Sequence, residues 1–204
     1  MPKTDVVIAS GNKGKIRELQ HRLGDAFQLI PQTELGVIAP EETGKTFLEN
    51  ALLKARAACK QTGLPAIADD SGLAVEALDG APGIYSARYA GVEASDTDNN
   101  KKLLKALDGI SNAERQAAFH CALVYMSHDS DPTPIVACAA WRGRILSAPS
   151  GSNGFGYDPL FYATEQQSVS AELPPEIKNR VSHRGQAIDR LVAQLAASPP
   201  RDAP

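Results

Sequence analysis

Asp5-Val6-Val7-Ile8-Ala9-Ser10-Gly11-Asn12-Lys13-Gly14-Lys15-Ile16 sets a β-branched apolar run directly before a polar, glycine-bearing turn. Residues 5–9 read as a buried strand. Residues 10–14 read as a turn. From Lys15 the apolar positions Ile16, Leu19 and Leu23 fall at helical spacing. Strand, turn and helix in that order are the opening of an α/β fold.

Working outward, residues 46–62 give a clear helix, opened by the capping box Thr46-Phe47-Leu48-Glu49 and stopped by Gly63-Leu64-Pro65. Residues 66–70 read as a short strand ending in Asp69-Asp70. A helix is expected over 96–107. Residues 117–127 alternate, with Phe119, Cys121, Leu123 and Tyr125 on one face. After the turn at 129–134, residues 135–142 return as the second arm of an antiparallel hairpin. A last amphipathic helix is expected over 186–197. Strands mixed with helices predict an α/β fold around a mixed sheet. Residues 1–197 are expected to form one domain. The tail 198–204, with three prolines in seven residues, is expected to be a flexible end.

The chain has 204 residues and a net charge of −3, with a pI near 5.8. That balance argues against a nucleic-acid binder, which carries a basic face. No apolar run reaches the ~18 residues of a membrane span. The run Val6–Ala9 is too short for a signal peptide. Cys59, Cys121 and Cys138 are odd in number and contain no CxxC, so neither a disulfide framework nor a zinc site is expected. A cytoplasmic protein with reduced thiols follows.

Three clusters can carry chemistry. The first is Ser10-Gly11-Asn12-Lys13-Gly14-Lys15. A turn into a helix offers backbone N–H groups at the positive end of the helix dipole, and the lysines add charge. It reads as a phosphate cradle, or as an ordinary turn with solvated lysines. It is not a Walker A loop: Ile16 follows the lysine, and Gly44-Lys45-Thr46 has Ala39 where the leading glycine belongs. The second cluster is Glu41-Glu42 with Asp69-Asp70-Ser71-Gly72. Oxygen-only donors suit Mg2+ or Mn2+; the alternative is helix-capping surface acid. The third is Gly154-Phe155-Gly156-Tyr157-Asp158, followed by Lys178 and Ser182-His183-Arg184-Gly185. Aromatics among glycines can stack on a flat base, or simply plug a core.

Together these stretches resemble the inosine triphosphate pyrophosphatase family. The similarity is carried by SGNKGKIREL at 10–19, EETGKTFLENALLKA at 41–55, AIADDSGLAVEALDGAPGIYSARYAG at 66–91, FHCALVY at 119–125, GFGYDPLF at 154–161 and SHRGQA at 182–187. It runs in order from residue 5 to about 197. The resemblance implies an elongated mixed sheet flanked by helices, in two lobes with a central nucleotide cleft. It implies hydrolysis of ITP, dITP and XTP to the monophosphate and pyrophosphate, with Mg2+ as cofactor, Mn2+ as its substitute, and a homodimer as the assembly. By position it implies substrate contacts from Ser10, Gly11, Asn12, Lys13, Gly14, Lys15 and Ser71. Metal ligation falls to Glu41 and Asp70, with Asp70 also the catalytic proton acceptor. Phe155, Gly156, Tyr157, Asp158, Lys178, His183 and Arg184 form the base pocket. Lys54 is added to the triphosphate contacts on charge and location. Departures are Ser10 where threonine is common, Asn153 before Gly154, and Pro174-Pro175 ahead of Lys178. The rival readings are a Maf-like pyrophosphatase acting on other nucleotides and a non-catalytic nucleotide-binding module. A partner nucleic acid or membrane is not expected.

Overall fold

A computed structural model describes residues 3–197. Its elements are β1 (Thr4–Ala9), α1 (Lys13–Leu23), β2 (Phe27–Pro31), α2 (Phe47–Thr62), β3 (Ala66–Val75), α3 (Asp96–Ala106), β4 (Gln116–Met126), β5 (Ile135–Ile145), β6 (Phe161–Ala163), β7 (Ser168–Val169), α4 (Pro175–Val181) and α5 (His183–Ala197). The strands make one mixed sheet in the order β2-β1-β3-β4-β5-β6-β7. β1 lies parallel to both β2 and β3, with Val7 opposite Ala66 and Ile8 opposite Ile67. At the far edge β5, β6 and β7 pair antiparallel. The α/β reading with a mixed sheet flanked by helices holds. The tail expectation for 198–204 lies outside the described residues.

The chain divides into two compact units. Of the described residues, one unit comprises 3–70, 121–138 and 187–197; the other comprises 71–120 and 139–186. Each has its own core. In the first, α2 presents Ala51, Ala55 and Ala58, all fully buried, toward Val7, Ala9, Ala66 and Ala68. That i, i+4, i+7 stripe of methyl groups lets the helix sit close to the strands. Thr46 caps α2 with both arms of its capping box formed, and Gly63 ends it in the left-handed conformation. In the second unit Leu73, Leu103, Phe119, Trp141, Tyr157 and Phe161 form the core. Phe119 tilts against Phe161, their centroids 4.7 Å apart, a geometry that favours aromatic pairs.

Three differences from the sequence reading bear on the site, and β5 also runs three residues beyond the expected end at 142. α1 begins at Lys13, because Asn12 caps it by accepting from the N–H groups of Gly14 and Lys15. α5 begins at His183, so Ser182-His183-Arg184 opens the helix instead of preceding it. β3 runs ten residues, through Asp69-Asp70-Ser71-Gly72 to Val75. The aspartates therefore sit mid-strand, not at a strand end. Adjacent strand residues face opposite sides, which separates the two carboxylates.

Candidate functional site

In the first unit, β1 delivers Ser10 to the base of α1. The Ser10 hydroxyl accepts from Asn12 N–H at 3.2 Å. Asn12 Oδ1 accepts from Gly14 N–H at 2.9 Å and Lys15 N–H at 3.1 Å. The cap thus consumes two of the helix's unpaired donors. Among the described residues, the N–H groups of Gly11 and Lys13 have no acceptor. Nothing lies within 4 Å of where a Gly11 Cβ would stand.

Lys15 reaches from the first turn of α1 to the buried Asp69, forming an ion pair with Oδ1. The other Asp69 oxygen accepts from Cys121 Sγ–H at 3.2 Å. On the opposite face of β3, Lys54 of α2 donates to Asp70 Oδ1 at 2.7 Å and to Glu42 Oε1 at 3.1 Å. Asn50, fully buried, donates weakly to Asp70 Oδ2 at 3.5 Å and accepts from Gly44 N–H at 2.8 Å. One amide therefore links the acid-bearing loop to the strand carboxylate. Glu41 is exposed, and among the described residues its side chain has no hydrogen bond or ion pair. It is Glu42 that the fold joins to Asp70 through Lys54.

Three carboxylates (Glu42, Asp69, Asp70) face two ammonium groups (Lys15, Lys54). Both partners of the central pair are shifted upward, for different reasons. Burial pushes Asp70 above its ordinary value, against the pull of Lys54 and Lys15. Burial pulls Lys54 down, but Asp70, Glu42 and Asp69 together outweigh it and raise the ammonium. A cluster short of one positive charge favours an added cation.

In the second unit, the turn 154–158 is held by the buried Asp158. Its Oδ2 accepts from Phe155 N–H at 2.8 Å and from Lys178 Nζ, and its Oδ1 accepts from Ser170 Oγ at 2.7 Å. Gly154 has φ +80, and a Cβ there would stand 2.1 Å from Asp158 Oδ2. Pro175 occupies the first turn of α4, where its missing N–H costs nothing. The proline pair therefore starts the helix that carries Lys178. Lys178 Nζ lies 5.1 Å, and Arg184 Cζ 5.9 Å, from the Phe155 ring centroid. Arg184 donates to Ser71 Oγ at 2.9 Å. His183 stacks on Phe119, centroids 4.8 Å apart and planes 10° from parallel. Tyr157 is core, its hydroxyl donating to Ser86 O at 2.8 Å.

Ser10 to Lys15, Asp70 and Lys54 thus belong to the first unit, and Ser71, Phe155 to Asp158, Lys178, His183 and Arg184 to the second. The sequence reading did not single out Asn50, the Cys121 donor or Ser170. Asn50 left one signal, a polar residue beside the buried alanine stripe of a capped helix.

These features define an α/β protein with an open helix N-terminus, a lysine–carboxylate cluster of net negative charge, and a glycine-set aromatic flanked by two cations. The chain belongs to the Ham1 family, whose model matches residues 6–194. It is 56% identical over 193 residues to a dITP/XTP pyrophosphatase of Vibrio parahaemolyticus, covering 94% of this chain and 96% of that protein. It is 54% identical over 201 residues to one of Idiomarina loihiensis, covering 96% and 100%. Among solved structures, a HAM1 protein from Coxiella burnetii superposes with a TM-score of 0.89 at 48% identity, covering 96% of this chain and all of that one. A dITP/XTP pyrophosphatase from Mycobacterium abscessus gives 0.73 at 41% identity, covering 93% and 99%.

Proposed function

We propose that the chain hydrolyses ITP, dITP and XTP to the nucleoside monophosphate and pyrophosphate. The observation that carries this reading is the identity of more than half the residues, over nearly the full length, to proteins named for that activity. Residues 1–197 act as one functional domain. Among the described residues no helix is long and apolar enough to cross a membrane. Cys59, Cys121 and Cys138 are free thiols, which supports the cytoplasm. The family resemblance supports a homodimer.

The donor set fits a hard dication. Mg2+ takes one or two carboxylates and completes its shell with phosphate oxygens and water. A full protein cage is therefore not required, and no group of three metal-ligating side chains occurs among the described residues. Asp70 and Glu41 would hold the ion. Mg2+ would supply charge neutralisation at the phosphates, with Mn2+ as its substitute.

The rest of the work falls to side chains. Pyrophosphate leaves when water attacks the α-phosphorus, and charge grows on the phosphate oxygens. Lys13, Lys15 and Lys54 offset that charge, and electrostatics set in advance is usually the largest catalytic contribution. Ser10, Gly11, Asn12 and Gly14 orient the polyphosphate. The vacant space beside Gly11 supports close approach of an anion. Asp70 takes the proton of the attacking water or orients that water through its second oxygen.

Ser71, Phe155, Gly156, Tyr157, Asp158, Lys178, His183 and Arg184 recognise nucleoside and base. Lys178 spends one of three N–H donors on Asp158. Donors there suit the 6-oxo acceptor of hypoxanthine and xanthine. The 6-amino group of adenine leaves a buried donor unpaired, which costs about 1–3 kcal/mol. The test is pyrophosphate release from ITP, dITP, XTP, ATP, GTP and dTTP, with Mg2+ and with a chelator. ITP and XTP should exceed ATP in kcat/KM by at least about tenfold, the equivalent of one such penalty; guanine shares the 6-oxo group, so any preference over GTP rests on rejection of its 2-amino group. Equal rates on all purines, or orthophosphate as product, would overturn the reading.

A further inference from the structure

α3 holds both peptide groups that flank the Gly156 Cα. Asp96 Oδ2 accepts from Gly156 N–H at 2.7 Å. Asn100 Nδ2 donates to Gly156 O at 3.0 Å. Asp96 and Asn100 are one turn apart and share a helix face. The N–H belongs to the peptide joining Phe155 to Gly156, and the carbonyl to the peptide joining Gly156 to Tyr157. Both soft dihedrals of residue 156 are fixed between them. Gly156 stands at φ +63, in the left-handed region, with nothing within 4 Å of an added Cβ. Glycine moves between conformations more freely than any other residue, and among the described residues the hydrogen bonds made by Gly156 itself are those to α3.

α3 is itself well anchored for the task. Ser95 and Asp98 close its capping box, and Leu103 packs into the core of the same unit. Among the described residues the Asn100 amide makes its bond through Nδ2, and its Oδ1 is buried with no hydrogen-bond partner. The bond to Gly156 therefore fixes which way the amide points.

We infer that Asp96 and Asn100 are positioning residues for base recognition, setting the Phe155-Gly156-Tyr157 turn through the two bonds of Gly156. The inference rests on the reading of Phe155 as part of the base pocket. Phe155 is the ring approached by Lys178 and Arg184, and its backbone is fixed on one side by Asp158 and on the other by Asp96. Losing the second restraint lets the ring leave the two cations. The cost then falls on nucleotide binding and on discrimination between bases, not on the phosphate chemistry of the first unit.

The experiment measures kcat and KM for ITP and ATP, with Tm, for wild type, Asp96→Ala, Asp96→Asn, Asn100→Ala and Phe155→Ala. Asp96→Ala should raise KM for ITP about tenfold, the scale of one charge-assisted hydrogen bond, with kcat within about twofold. The preference for ITP over ATP should narrow with it. Asp96→Asn keeps an acceptor oxygen and should restore most of both. Asn100→Ala loses a neutral bond and should raise KM about threefold, which keeps the inference testable if Asp96→Ala folds poorly. An altered Phe155→Ala beside unchanged Asp96→Ala and Asn100→Ala overturns the positioning role alone. Losses in kcat that follow Tm, unrescued by Asp96→Asn, overturn it too. Unchanged KM and preference in Phe155→Ala overturn the base-pocket reading and this inference with it.

Discussion

Charge counting decides most at the level of single side chains. Asp69 and Asp70 are neighbours in sequence but answer to different lysines, because a strand turns successive side chains to opposite faces. Lys54 joins Asp70 to Glu42, and its loss would leave three carboxylates facing one ammonium. Removing a preorganised group that meets transition-state charge typically costs about 100- to 1,000-fold in rate. Lys54→Met is therefore expected to lower kcat by that factor while circular dichroism stays unchanged. Asp70→Asn should abolish turnover, since the amide can neither take a proton nor carry the charge. Near-wild-type rates for Asp70→Asn at saturating Mg2+ would remove Asp70 from the mechanism. These partnerships were only half legible in the sequence. Lys54 could be picked out by charge and place, whereas its bond to Asp70 spans 16 residues and has no periodic signature. Glu41 and Glu42 were indistinguishable as text; the backbone of their loop makes one exposed and turns the other to Lys54.

Helix and strand signals were legible in proportion to how local they are. The α2 capping box and its glycine stop are decided within one turn at each end, and both stand where the pattern put them. β3 was read five residues short because Asp-Asp-Ser-Gly has the chemistry of a turn. Tertiary pairing overrides that preference: Lys15 and Cys121 satisfy Asp69, Lys54 satisfies Asp70, Arg184 binds Ser71, and Gly72 leaves room for Ser86 and the Gly83 carbonyl. The loop entering α2 yields a graded prediction. Glu49 still accepts from the N–H groups of Lys45 and Thr46 when the Thr46 hydroxyl is gone. Thr46→Ala should then cost only about 1 kcal/mol, the usual worth of an N-cap. Gly44→Ala should cost more, because its Cβ would stand 2.6 Å from Asn50 Oδ1 and 2.7 Å from Glu49 Cβ. It should also lower activity, since Asn50 bridges that loop to Asp70. Thermal melts and ITP turnover of the two variants give the order; equal Tm losses would show that the loop yields without disturbing Asn50.

Across the whole molecule, the fold class was readable because strand–turn–helix order survives averaging over many residues, whereas the division into two units depends on contacts between distant segments. One consequence involves both units at once. In the first, burial lifts the Cys59 thiol from an ordinary 9.0 to about 11. In the second, burial, with the charges of Tyr89 and Asp96, pushes the Tyr157 phenol well above its ordinary 10.0. Both groups hold their proton in the native state after the unfolded chain has released it. The native state then binds more protons than the unfolded one, so stability falls as pH rises. The contribution of Cys59 is complete below pH 9 and is lost as pH climbs toward about 11; that of Tyr157 begins to go above pH 10. For a chain of this size each kcal/mol lost lowers Tm by about 2–4 °C. Melts in reductant at pH 8, 9.5 and 11 should show a progressive fall. Cys59→Ala removes one titrating group from the balance, so its Tm should decline less between pH 9 and 11, whatever its starting value. A decline as steep as that of the wild-type chain would mean that the Cys59 thiol ionises in the folded protein as readily as in the unfolded one.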